Sequence, residues 1–296
     1  MKKTICYIFI NDSLGGSANV AIKNIAKSSE EFNVVLITNY SNKQYFEAEL
    51  KQYGVVVHGI KTSFEVDALN RFSRKMTKIF SSANRTAARV IKSIIIQQKA
   101  SVIHVHSTKA LTFISPDDFP NINKIFTLHE TGGIIPELEH YFNFGQTLKE
   151  SIIKLNKFNY ITCASEAVIE KIQPFFNPQH SKLVCVRNGL DDVTSPPKKF
   201  NEIQALFVGG SNPIKNIYLF IRLLEKIGVN QLKKIEFRLI ILGFIDKNLK
   251  DYVSLSSVSE QITLVGNVDQ TSYFNYMKQS NVYVNTSIHE TIPNSL

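Results

Sequence analysis

A chain of 296 residues, 44% hydrophobic and 20% charged, has apolar surface for two separate cores, and this balance excludes a disordered chain. Its cysteines, Cys6, Cys163 and Cys185, lie far apart in apolar runs without metal spacing, so buried reduced thiols in a cytoplasmic protein are expected. The net charge is +9, no run reaches transmembrane length, and the apolar run before Asn11 is short for a signal peptide.

Strand-like and helix-like patterns alternate along the chain. Residues 4–10 are a continuous apolar run, as in a strand buried on both faces, and end in the turn-rich Asn11-Asp12-Ser13-Leu14-Gly15-Gly16. Val20, Ala21 and Ile25 at helical spacing predict a helix over 17–26. Strands are expected at 32–38 and 54–58. The spacing over 64–98 is helical, in two pieces around Ser81-Ser82. Four more strands are expected at 102–105, 124–128, 160–163 and 183–186, while 134–157 is the hardest stretch to place. Ser195-Pro196-Pro197-Lys198-Lys199 then reads as a linker. Beyond it come strands at 203–208, 235–242, 262–265 and 282–285, with helices at 215–227 and near 272–279. This alternation predicts an α/β chain with parallel sheets covered on both faces. Two Rossmann-like domains are expected, over 1–194 and 195–296.

Several residues point to chemistry. Gly15-Gly16 follow the first strand and open a helix; glycine there lets backbone approach a ligand, and a helix N-terminus offers N–H groups to phosphate. The dinucleotide fingerprint is absent and the second strand ends Ile37-Thr38-Asn39 without an acid for a ribose, so NAD is not expected. His104 and His106 share one strand face; such a pair can hold a metal, but no third ligand is evident and none is expected. His129 stands at the carboxyl end of a parallel strand, where the ligand crevice of such sheets lies. No Asp-x-Asp, Ser-His-Asp or His-Glu-x-x-His arrangement occurs in support of other chemistries.

Two segments carry a family resemblance. The run Phe207-Val208-Gly209-Gly210-Ser211-Asn212-Pro213-Ile214-Lys215-Asn216 resembles V-G-R-L-x-P-x-K-G/N without a gap. The last ten residues, Ser287 to Leu296, resemble S-x-x-E-x-x-P-N-S-L. Both patterns belong to the retaining nucleotide-sugar glycosyltransferases of family four, which have the GT-B fold. Weaker echoes fall between them in the right order: Gly15-Gly16, the stretch 102–107, Thr127-Leu128-His129-Glu130, Ala164-Ser165-Glu166-Ala167 and Asn188-Gly189-Leu190-Asp191. The resemblance implies two domains facing a cleft, with a UDP- or GDP-sugar as donor, a glycan or lipid-linked sugar as acceptor, and no cofactor or metal. It implies Glu290 and His129 as catalytic residues at the sugar. Gly15, Gly16, Gly209, Lys215, Pro293 and Asn294 would bind the donor, with Lys215 on the diphosphate. The Arg of the pattern is Gly210 here, so one of two cations is missing. The family's second Glu would lie beyond Leu296, so the second domain is expected to be incomplete and transfer by these residues alone very low. The alternative is a truncated, inactive binding or scaffold protein of the same fold.

The charge is uneven. From Ala68 to Pro116 there are nine Lys or Arg and no acid. Arg71, Arg74, Lys75 and Lys78 cluster on one side of a helix beside the apolar Phe72, Met76, Ile79 and Phe80, the pattern of an interfacial helix. This face fits either an anionic membrane surface, with the protein peripheral at the cytoplasmic side, or a stripe packed on the first sheet with its charges solvated. Nucleic acid is not expected.

Overall fold

The computed structural model describes residues 2–11, 14, 16–62, 77–129, 148–177, 179–188 and 203–288. The chain divides into two compact units, Met1–Leu190 and Asp191–Leu296.

The first unit is built on strands β1 (Thr4–Phe9), β2 (Asn33–Asn39), β3 (Val56–Ile60), β4 (Val102–Val105), β5 (Asn123–Leu128), β6 (Tyr160–Cys163) and β7 (Lys182–Cys185). They pair in parallel in the order β3-β2-β1-β4-β5-β6-β7. The continuous apolar run of β1 is explained by its central place. Ile5, Tyr7 and Phe9 meet Ala18, Ala21 and Ile25 of α1 (Gly16–Ser29) and Phe46 and Leu50 of α2 (Lys43–Leu50) on one face. Cys6 and Ile8 point to the other face. There they join Ala87, Ile91 and Ile95 of α3 (Thr77–Gln97), Leu155 of α4 (Leu148–Leu155) and Val168 and Ile172 of α5 (Glu166–Ile172).

Two expectations are corrected here. Helix α3 runs unbroken through Ser81-Ser82, because packing of its apolar stripe on the sheet outweighs a weak propensity penalty at two serines. Cys6 and Cys163 are buried, and burial pushes both thiols up to about 12, but Cys185 is only partly buried on the terminal strand β7.

The second unit repeats the plan on a smaller sheet. Strands β8 (Ile203–Val208), β9 (Phe237–Leu242), β10 (Ile262–Gly266) and β11 (Val282–Val284) pair in parallel in the order β10-β9-β8-β11. Helices α6 (Ile217–Ile227), α7 (Val229–Lys234), α8 (Lys247–Leu255) and α9 (Gln270–Gln279) connect them. The strand expected at 235–242 starts two residues later, since α7 occupies the connection and Glu236 takes a left-handed turn with φ 48°. In each sheet the order reverses once, between β1 and β4 and between β8 and β11. Ligands of open α/β sheets bind outside the carboxyl ends of the strands at such a reversal. Among the described residues no helix is long and apolar enough to cross a membrane.

Candidate functional site

In the second unit the loop after β8 lies at the reversal point. Asn212 Oδ1 accepts a hydrogen bond from the Ile214 N–H at 3.0 Å, which starts a single 3-10 turn, Pro213–Lys215. Asn216 then takes the left-handed conformation at φ 52°, which asparagine tolerates, and α6 begins at Ile217. Helix α6 therefore turns its N-terminal N–H groups toward the loop that carries Lys215, an arrangement that favours an anion.

The two glycines have separate reasons. A Cβ at Gly209 would stand 2.5 Å from Lys215 Cγ, so glycine is what lets the Lys215 stem lie along the backbone. At Gly210 φ is 53° and a Cβ would stand 2.2 Å from the Phe244 carbonyl oxygen, which leaves an arginine no entry. The loop is fastened to the exit of β9 on that side. Gly209 N donates to Leu242 O (2.9 Å) and Ser211 N to Phe244 O (2.8 Å). The Ser211 hydroxyl donates to Asp246 Oδ1 at 2.9 Å, and Asp246 also caps α8 through the Leu249 N–H at 2.8 Å.

Across the reversal point, the segment after β11 is tied to the same loop. The Thr286 hydroxyl lies 2.9 Å from Lys215 O and 3.0 Å from Asn216 O. Ile288 N donates to Ile214 O at 2.8 Å. Two stretches more than 70 residues apart in sequence are thus joined: the Gly209–Lys215 loop and the run that leads to Glu290.

In the first unit the corresponding reversal gathers polar side chains. His106 and Ser107 follow β4, His129 follows β5, and Gly16 opens α1 after β1. His106, His129, Ser107, Ser17, Asn11 and Lys109 line a pocket at this end of the sheet. The loop after β1 is braced: Asn11 N donates to Asn39 Oδ1 (3.0 Å), Asn42 Nδ2 donates to Asn11 O (2.9 Å), and the Ser107 hydroxyl donates to Ile10 O (2.5 Å).

Three imidazoles lie in a row at this end of the sheet, His104 tilted against His106 and His106 stacked on His129. Ring centroids of His104 and His106 are 4.1 Å apart, and those of His106 and His129 5.2 Å. Tyr7 covers His104 at 4.9 Å. His104 Nε2 pairs with Thr127 Oγ1 at 2.7 Å, and that oxygen pairs with Thr162 Oγ1 at 2.7 Å. His106 Nδ1 pairs with His129 Nε2 at 2.9 Å. Burial holds His104 down at about 3 and His129 at about 4, and pushes His106 well below the ordinary value. Burial thus favours the neutral form of all three rings.

The site residues expected from sequence divide accordingly. Gly209 and Lys215 sit at the second unit's reversal point; Gly16 and His129 sit at the first unit's. Gly15, Glu290, Pro293 and Asn294 lie outside the described residues, as do Arg71, Arg74 and Lys75 and the side chain of Lys78. His129 joins His104 and His106 at this end of the sheet, a neighbour that spacing along one strand did not show. The signal in the sequence is alternation: His106 is two residues after His104, and His129 two after Thr127, on neighbouring parallel strands β4 and β5 or just past their ends. Among the described residues, no group of His, Cys, Asp or Glu side chains is arranged to hold a metal ion.

Residues 202–296 match the family model of the glycosyl transferases group 1. That stretch lies in the second unit and is about a third of the chain. Solved structures similar to nearly the whole chain share its fold. HepE of Anabaena, in complex with UDP and glucose, has a TM-score of 0.70 at 13% identity over 98% of this chain and 76% of that one. The lipopolysaccharide outer core galactosyltransferase WaaB has 0.65 at 14% identity over 98% and 76%. Sucrose-phosphate synthase from Thermosynechococcus elongatus has 0.69 at 13% identity over 98% and 77%. No curated protein sequence matches the chain. The matched structures share the GT-B fold, and Gly209 and Lys215 fall within the part that the family model matches.

Proposed function

We propose that the chain transfers a sugar, with retention, from a UDP- or GDP-linked donor to an acceptor hydroxyl on a glycan or lipid-linked sugar, in cell-surface polysaccharide synthesis. The observation that carries this reading is the hydrogen bonding of 286–288 to the Lys215 loop at the reversal point of a group 1 domain. It brings the segment before Glu290 to the one described cation whose stem is bedded on Gly209 in that loop. In this reading the α6 N-terminus and Lys215 receive the diphosphate, and the positive charge stabilises it as it leaves. Glu290, Pro293 and Asn294 meet the donor, Gly15 and Gly16 approach the diphosphate, and His129 meets the transferred sugar. Helix N–H groups and a lysine take the place of a metal, so no cofactor is required. UDP is the nucleotide to test first, because HepE is in complex with UDP-glucose in another of the similar structures.

The test is nucleotide binding by calorimetry with wild type and Lys215→Ala. A charge-assisted hydrogen bond contributes about 1.5–3 kcal/mol, so the Kd for UDP or GDP should rise about 10- to 100-fold. A Kd unchanged by Lys215→Ala removes Lys215 from the site. Failure of wild type to bind UDP, GDP or any of their sugars removes the function.

A further inference from the structure

We propose that His106 is a positioning residue that fixes the tautomer of His129, holding it as a neutral ring with its proton on Nδ1. The inference rests on the proposed place of His129 at the transferred sugar, and it makes His129 a hydrogen-bond donor there rather than a base.

The argument is one of proton counting. His106 is 1% exposed, and its Nε2 has no hydrogen-bond partner among the described residues. Its Nδ1 lies 2.9 Å from His129 Nε2, so one of these two nitrogens carries a proton and the other accepts it. If His129 Nε2 were the donor, His106 Nδ1 would be bare and its proton would sit on Nε2, where a buried N–H has nothing to bond. Orphaned buried N–H groups are rarer than under-used acceptors. The bond therefore runs from His106 Nδ1–H to His129 Nε2, and a neutral His129 carries its proton on Nδ1. A charged His129 would hold protons on both nitrogens. It would then force His106 into the tautomer with the orphaned N–H, so the pair resists charging as a unit. The lowered basicity of both rings agrees with this.

The flanking contacts keep the geometry from relaxing. His106 is stacked on His129 (5.2 Å) and met by the tilted rings of His104 (4.1 Å) and Tyr7 (5.5 Å). His104 is pinned by Thr127, and Tyr7 by its hydroxyl pairing with Ser28 at 2.7 Å. His106 has little freedom to rotate and expose Nε2.

The test reads protons directly, by two-bond 15N–1H correlation on the labelled chain at pH 7. Wild type should show both His106 and His129 protonated on Nδ1. His106→Leu removes the donor, and His129 should shift to the Nε2–H form. In His106→Asn, the amide N–H can stand where Nδ1–H stood, and His129 should keep the Nδ1–H form. A wild-type His129 protonated on Nε2 overturns the proposal, as does an Nδ1–H form that survives His106→Leu. If His106→Leu fails to fold, the wild-type spectrum still decides. No substrate is needed, so this outcome is separate from that of the nucleotide-binding test.

Discussion

Gly210 stands where the family pattern has arginine, so restoring the arginine is a natural perturbation, and the structure predicts that it harms the protein. At φ 53° an L-residue costs about 1–2 kcal/mol. A Cβ there would lie 2.2 Å from Phe244 O and 2.8 Å from Gly243 C, both backbone atoms that no rotamer change can clear. Forcing extra atoms into such a contact costs about 1–3 kcal/mol. The shift would also stretch the 2.8 Å bond from Ser211 N to Phe244 O, a loss of about 1 kcal/mol. Together Gly210→Ala and Gly210→Arg should each destabilise the second unit by about 3–6 kcal/mol, a drop in Tm of roughly 12–48 °C at about 4–8 °C per kcal/mol for a unit of this size. Gly54→Ala is the control, because Gly54 has φ 65° with nothing within 4 Å of a built Cβ and should show the conformational cost alone. Hydrogen exchange of the Phe237–Leu242 amides gives the unit-specific readout, since two units need not unfold together. The reasoning fails if Gly210→Arg leaves that exchange unchanged, or binds UDP more tightly than wild type.

Two further outcomes follow from charge. His104, His106 and His129 have folded values below the unfolded 6.5, so the unfolded chain binds more protons as pH falls and stability drops with it. Between pH 7 and 5 each imidazole should cost about 2 kcal/mol, and His104→Gln should flatten the fall in Tm over that range; an unchanged slope would show that the imidazole titrates alike in both states. The basic run supports a second expectation: salt-sensitive sedimentation with anionic but not neutral vesicles, lost when Arg71, Arg74, Lys75 and Lys78 all become Gln, at about 1 kcal/mol per charge. Wild type left in the supernatant at low salt would make those charges ordinary solvation.

The strands were legible because both sheets are parallel, and their central strands β1, β2, β8 and β9, covered on two faces, are nearly continuous apolar runs. Expected and observed bounds coincide at Val102–Val105, Tyr160–Cys163 and Ile203–Val208. Helices α2 and α8 were not expected at all. Each buries only two side chains, Phe46 with Leu50 and Leu249 with Val253, too few to set a period in a window of that length. The site was half legible for a related reason. Spacing marked Gly209 and Lys215, because a tight loop constrains consecutive residues. It gave no reason for Gly210, since the atom that excludes a side chain belongs to Phe244, on the next strand's exit. The histidine stack is the same case across β4 and β5. His106 and His129 are 23 residues apart and meet only through the register that sets Val105 beside Phe126. Alternation says which residues share a face; which strand lies alongside is decided by the order of the sheet. That order also makes each unit's reversal point the place where distant loops converge, so a side chain's partners there are fixed by topology before they are fixed by sequence.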